Sequence, residues 1–287
     1  MPPAYAGHVG GTGGCAAPPE GGPALTWLGH SSVLVEVGGA RVLADPVLRQ
    51  RVGALRRAVP AEVTAGAVRA LVDDPVDVVL LSHLHHDHCD LPTLRRLRPR
   101  LLVVPPGAAS WLGRNGFDAV ELAPGCALEV ADGVHVTAVP AEHLGRREPW
   151  GPTAASVGHL VESASASVWL AGDTGLFAGL AGLADHGRRG VVDLAAVPVW
   201  GWGPNLGPGH LDPDRAAEAV EAVGARVAVP VHWGTYHPAG LSFTMRHQLR
   251  TPGDRFAAAV AGRGAPARVD VLAVGATTRL PARGSSR

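Results

Sequence analysis

Four side chains of metal-ligating type, spaced as H-x-H-x-D-H, fall within six residues directly behind an apolar run, and no other feature restricts the fold as strongly. The run is residues 77–82, DVVLLS, and the cluster is His83-Leu84-His85-His86-Asp87-His88. A run this apolar reads as a strand buried on both faces, which belongs in a sheet covered on both sides. Imidazoles and a carboxylate do not fit inside such a strand, because buried polar groups need partners. They do fit where the strand spills into a loop. There His83 and His85, as alternate residues, point one way, while Asp87 and His88 turn to the other side. That arrangement can serve two metal ions. Neutral imidazoles with a carboxylate suit zinc and leave a position open for water.

The rest of the chain supplies the frame for such a strand. LTWLG (25–29), SVLVEV (32–37) and RVLAD (41–45) are short apolar or β-branched runs between turns, the pattern of an antiparallel meander. Further strands are expected at 101–105, 127–130, 134–139, 156–162, 167–171, 194–199, 226–230 and 269–273. Helices are expected at 91–97, 108–114 and 252–262. The clearest helix starts at Asp212, where DPDRAAEAVEAVG has an N-cap Asp, a Pro in the first turn and a closing Gly. Strands interspersed with helices and no long linker imply one α/β (α+β) domain over residues 25–275. Residues 1–24, mostly Gly, Pro and Ala, lack apolar periodicity and read as a disordered tail. Residues 276–287 read as a second tail.

Three more candidate ligands sit at the ends of apolar strands: His143 in VPAEH, Asp173 in VWLAGDTG and His232 in VAVPVHWGT. Singly, each is as ordinary as any structural polar residue. Jointly with the first cluster they make seven ligands of one chemical kind. Composition removes competing chemistries. All 25 basic residues are Arg, so Schiff-base lysines, phosphate-loop lysines and Ser–Lys dyads are excluded. A net charge of +0 offers no field for a polyanion, which argues against a nucleic-acid partner. Three cysteines do not make a disulfide framework, and the N-terminus lacks a signal-peptide pattern. The run from Val227 to Met245 contains two Pro, two Gly and two His and is no membrane span. A soluble, cytoplasmic protein is expected, and a homo-oligomer is left open.

The pattern H83-x-H85-x-D87-H88, followed in order by His143, Asp173 and His232, resembles the metallo-β-lactamase-fold superfamily. TWLGHSSVLVEVGGARVLADP, PAEH, LAGDTG, GHLDP and PVHWGT are similar to its branch containing N-acyl-phosphatidylethanolamine-hydrolysing phospholipase D and L-ascorbate-6-phosphate lactonase. The resemblance implies a four-layer αβ/βα sandwich with a dinuclear site at one edge of two facing sheets. It implies that His83, His85 and His143 hold one divalent ion, that Asp87, His88 and His232 hold the other, and that Asp173 bridges them. Zinc is the first expectation, with manganese or ferrous iron as alternatives. The implied activity is hydrolysis by a hydroxide bridging the ions, on a phosphodiester of a small-molecule or lipid-like substrate. A lactonase acting on a phosphorylated sugar lactone is the alternative, because the same site serves both. A di-iron oxidoreductase and a non-catalytic metal-binding scaffold are more remote. The first usually has Glu where this chain has His85, and the second would have lost ligands.

Beyond the metal ligands, Asp87 is expected to orient the nucleophile and His210 in GHLDP to polarise the substrate or protonate the leaving group. His30 in LGHSS and Arg146 are candidate substrate contacts at the pocket edge. Arg147 shares with Arg146 the option of clamping a phosphate. Asp45 reads as a support, Cys89 as a buried thiol or an extra soft ligand, and Trp200, Trp202 and Trp233 as candidate pocket walls.

Overall fold

The computed structural model describes residues 22–280. The chain first runs through β1 (Ala24–Gly29), β2 (Ser32–Val37), β3 (Ala40–Ala44), the short β4 (Arg51–Val52) and β5 (Leu55–Arg57), and helix α1 (Ala61–Asp73). β6 (Val78–Leu80), α2 (Leu91–Leu97), β7 (Leu102–Val104), α3 (Ala109–Arg114) and β8 (Val120–Glu121) follow. The second half holds β9 (Ala127–Ala131), β10 (Val134–Pro140), β11 (Val157–Glu162), β12 (Ser167–Leu170), a 3-10 segment over Leu180–His186, β13 (Leu194–Pro198), α4 (Pro213–Val223) and β14 (Val227–Val231). β15 (Tyr236–Pro238), α5 (Arg246–Arg250), α6 (Pro252–Gly262), β16 (Arg268–Val269) and β17 (Thr277–Arg279) complete it.

Two seven-stranded sheets form, in the orders β17-β1-β2-β3-β6-β7-β8 and β16-β14-β13-β12-β11-β10-β9, with a small third sheet β15-β5-β4. Each large sheet begins as an antiparallel meander and continues as parallel strands, from β3 to β8 in one and from β12 to β16 in the other. Strand alternation sorts the apolar side chains into layers. Val33, Val35, Val78, Leu80 and Val103 face the second sheet, in one cluster with Val161, Val168 and Val197. Leu34, Val79, Leu81, Leu102 and Val104 face outward against Val68 and Leu71 of α1, Leu94 of α2 and Leu112 of α3. Helices α4 and α6 cover the other sheet through Ala216, Val220 and Phe256. The result is the expected αβ/βα sandwich.

Several elements differ from the sequence expectation. Helix α1 was not anticipated, although its buried Thr64, Val68 and Leu71 follow helical spacing. The strand expected over 269–273 shortens to Arg268–Val269, because only those residues pair with β14. Thr277–Arg279 pairs antiparallel with β1, so the sheet continues into the stretch read as a tail. The tail expected over 1–24 lies outside the described residues up to residue 21. Helix α4 keeps its expected caps: Asp212 Oδ1 accepts from Arg215 N at 2.9 Å, and Gly224 closes it at φ +70°.

Candidate metal centre

All seven expected ligands converge at one edge of the sandwich. His83, His85, Asp87 and His88 lie in the loop after β6; His143 follows β10, Asp173 follows β12 and His232 follows β14. The ligand atoms of His83, His85 and His143 lie within 4.8 Å of one another, and so do those of His30, Asp87, His88 and His232. Asp173 falls between the two groups, in one set with His83 and His88 and in another with His143 and His210. Its Oδ2 is 3.2 Å from His88 Nε2 and 3.5 Å from His210 Nε2, and its Oδ1 is 3.3 Å from His232 Nε2.

The ring protons follow from the outer partners. His88 Nδ1 donates to Asp45 Oδ2 at 2.8 Å, His143 Nδ1 to the Gly209 carbonyl at 2.9 Å, and His232 Nδ1 to the Trp200 carbonyl at 2.9 Å. Carboxylate and carbonyl oxygens only accept, so each Nδ1 carries a proton and each Nε2 of a neutral ring turns a lone pair inward. His88 Nε2 and His232 Nε2 then face each other at 3.1 Å, and His83 Nε2 is buried without any partner. Lone pairs crowded beside two carboxylates require positive charge between them. The donor set therefore fits divalent cations.

The electrostatics agree. Burial drives His83 well below the ordinary imidazole range and takes His143 down to about 4, so both are neutral donors near pH 7. Burial would also lower His88, but Asp173 and Asp45 outweigh it and raise the ring well above that range. Burial opposes the ionised forms of Asp87 and Asp173, yet the histidines around them hold both carboxyls well below the usual range.

Local sequence makes this geometry possible. Gly209 sits at φ +72°, and a Cβ there would meet the Glu142 carbonyl at 3.0 Å and His143 Nδ1 at 3.2 Å. Gly29 sits at φ +100°, where a Cβ would come within 2.5 Å of the Arg57 guanidinium. That turn aims His30 inward. His30 is fully buried rather than at a pocket edge: its Nε2 is 2.9 Å from Asp87 Oδ2, and its ring lies 3.9 Å from the His232 ring. This corrects the expected substrate contact, since burial between β1, β2 and the metal ligands leaves no face for a substrate.

Other expectations are corrected too. Arg147 is buried and donates to the Leu84 and Cys89 carbonyls at 2.7 and 2.9 Å, with its guanidinium 4.8 Å from the Trp111 ring. It pins the loop of the first motif and is not free to clamp a phosphate. Arg146 is exposed beside it, bridged through its backbone to Thr153. Cys89 is fully buried, burial pushes its thiol up to about 12, and it falls in none of the candidate ligand groups, so it packs in the core beside the site. Trp233 stacks on Trp27 at 5.6 Å inside the core, while Trp202 is exposed. Sequence reasoning missed the acceptors at Gly209 and Trp200, because main-chain carbonyls leave no mark in a sequence.

Two facing sheets carrying seven histidines and two aspartates at one edge define a class, proteins of the metallo-β-lactamase fold with a candidate metal centre. Residues 40–233 match the beta-lactamase superfamily domain, and the chain belongs to that superfamily. It is 32% identical over 240 residues to N-acyl-phosphatidylethanolamine-hydrolyzing phospholipase D 1 of Caenorhabditis elegans, covering 76% of this chain and 65% of that protein. It is also 32% identical over 219 residues to a metal-dependent hydrolase of Methanopyrus kandleri, covering 75% of this chain and 85% of that one. The chain spans 61–65% of the length of the first curated relatives it matches. Among solved structures, a metallo hydrolase of Ignicoccus hospitalis superimposes with a TM-score of 0.68 at 23% identity, covering 91% of this chain and 99% of that one. A diiron beta-hydroxylase of Streptomyces venezuelae does so at 0.64 and 20%, covering 92% of this chain and 55% of that one. At these identities the likeness concerns the fold alone. Among the described residues, no helix is long and apolar enough to cross a membrane.

Proposed function

We propose that this hydrolase is dinuclear and cleaves a phosphodiester in a small or lipid-like substrate. The observation that carries this reading is the pair of ligand groups with Asp173 between them. His83, His85 and His143 would hold one ion, Asp87, His88 and His232 the other, and Asp173 both. Two divalent ions, zinc first among them, supply an acidified water and Lewis acidity toward a phosphoryl oxygen when bound. The similarity to a phospholipase D acting on N-acyl-phosphatidylethanolamine supports a phosphodiester over a lactone.

The chain's own residues supply orientation and protons. The Asp87 carboxylate receives the His30 Nε2 proton at one oxygen, which fixes its rotation. His210 is partly exposed. Burial lowers its affinity for a proton, but Asp173 outweighs that and raises it above the ordinary imidazole range. Its Nδ1 lies 3.2–3.3 Å from the Pro208 and Gly207 carbonyls, so its Nε2 proton is the one that can pass to a leaving-group oxygen. Exposed Arg146 is the candidate contact for the substrate's anionic group.

The test is metal analysis of the purified chain with a panel of lipid phosphodiesters and sugar lactones. Close to two ions per chain are expected, with phosphodiester cleavage abolished by chelation and restored by zinc. A folded chain without bound ions and without hydrolysis overturns the reading, and cleavage of lactones alone replaces its substrate.

A further inference from the structure

Directly beneath the histidine cluster, between the two large sheets, lies a cavity of about 10 Å3. Its polar lining is Ser31, Asp45, Ser82 and His159; the remaining walls are apolar residues of β2, β3, β12, β13 and β14 and the adjoining backbone. His159, on β11, is 1% exposed and plays no part in the site described above.

Two of these side chains present polar atoms that nothing satisfies. Ser31 Oγ and His159 Nε2 are both buried without a hydrogen-bond partner. Leaving such a group dry is costly, because the water it gave up is not replaced. Apolar cavities stay empty, whereas a polar one of at least about 10–15 Å3 with two or more polar partners has room for a water. Asp45 supplies the third group. Its Oδ2 takes Ser82 Oγ at 2.6 Å and His88 Nδ1 at 2.8 Å, while its Oδ1 takes only Ser82 N at 2.8 Å and keeps a lone pair. Burial lowers His159 to about 4, so the neutral ring brings one donor and one acceptor.

We propose that the cavity binds one structural water joining His159 and Ser31 to Asp45, which makes His159 a positioning residue for His88. The water donates to Asp45 Oδ1 and so fixes the rotation that aims Oδ2 at the His88 ring. The link to His88 rests on the proposed role of that residue as a metal ligand; the water site does not.

The test compares high-resolution crystal structures and ion affinities, by chelator competition, for the full chain and its His159→Leu and His159→Gln variants. An ordered water within hydrogen-bonding reach of His159 and Asp45 is expected in the parent. His159→Leu should expel it and weaken one of the two ions about tenfold, the low end for partners behind a ligand, with the other ion unaffected. His159→Gln should retain most of the affinity. If His159→Leu fails to fold, Ser31→Ala serves in its place, with a smaller shift in the same ion. An empty parent cavity overturns the water site. Loss of the water with both affinities unchanged overturns the positioning role. A folded chain that keeps the water but takes up no ion overturns the function proposed above and the link to His88, and leaves the water site standing.

Discussion

The two large sheets share one strand pattern but furnish the site in opposite ways. The first sheet delivers four candidate ligands from a single loop behind β6, within six residues. The second delivers three, one each behind β10, β12 and β14, over a span from His143 to His232. A contiguous cluster is held mostly by its own loop. Scattered ligands are placed only if the whole second sheet has its register, so their geometry is a property of the core. The two halves share one core, and polar side chains also join them at the site. Arg147, from the loop behind β10, grips the carbonyls of Leu84 and Cys89 on the opposite loop, and Asp173 lies among histidines from both sheets.

The largest break in that comparison is Asp173→Asn. It removes the one carboxylate common to both groups, so both ions should be lost together. Hydrolysis should fall by more than about 100-fold, the upper range for residues merely behind a ligand. If metal analysis of the variant still finds two ions, the shared role of Asp173 is wrong. Arg147→Ala should come next, leaving two buried carbonyls without donors at a cost of about 3 kcal/mol. A denaturant titration reads that loss. Arg147→Lys should recover little of it, since an ammonium cannot reproduce the planar fork.

His30→Ala probes the second group alone. Weaker ion binding by about 10–100-fold is expected, with KM for the substrate unchanged once the ions are saturated. A raised KM at saturating metal would return His30 to the substrate. The smallest effect is a proton count. Against the effect of burial, Asp173 and Asp45 raise His88 well above the ordinary imidazole range in the metal-free chain, so an ion competes with a proton there. Calorimetry in buffers of different ionisation enthalpy should find proton release on loading, and apparent affinity should fall as pH falls. Loading without proton release would show that His88 is already neutral.

How much of this was readable beforehand follows the same division. The loop after β6 declared itself through local spacing, and so did α4 with Asp212 and Gly224 at its ends. The strands β4, β5 and β15 are two or three residues long, too short for any periodicity to register. Helix α1 had its spacing in view but no side-chain cap to mark where it begins. The burial of His30 is set by distant partners, among them Thr235, whose hydroxyl receives the His30 amide proton at 2.7 Å from 205 residues away, and no local pattern marks it. Asp45 was read as a support, but its grip on His88 bridges 43 residues and could not be specified. Arg146 and Arg147 are adjacent and chemically identical, and only tertiary contacts, the Leu84 and Cys89 carbonyls and the Trp111 ring, separate the buried one from the exposed one.

The pairing of β17 with β1 has a practical side. β1 runs toward His30 and the cluster, so its first residue lies at the far pole, and there Leu280 N donates to the Pro23 carbonyl at 2.8 Å. The described residues thus begin and end at adjoining points, at the end of β1 opposite His30. A short linker joining residues 23 and 280 would close the chain on itself at the end of β1 away from the histidine cluster.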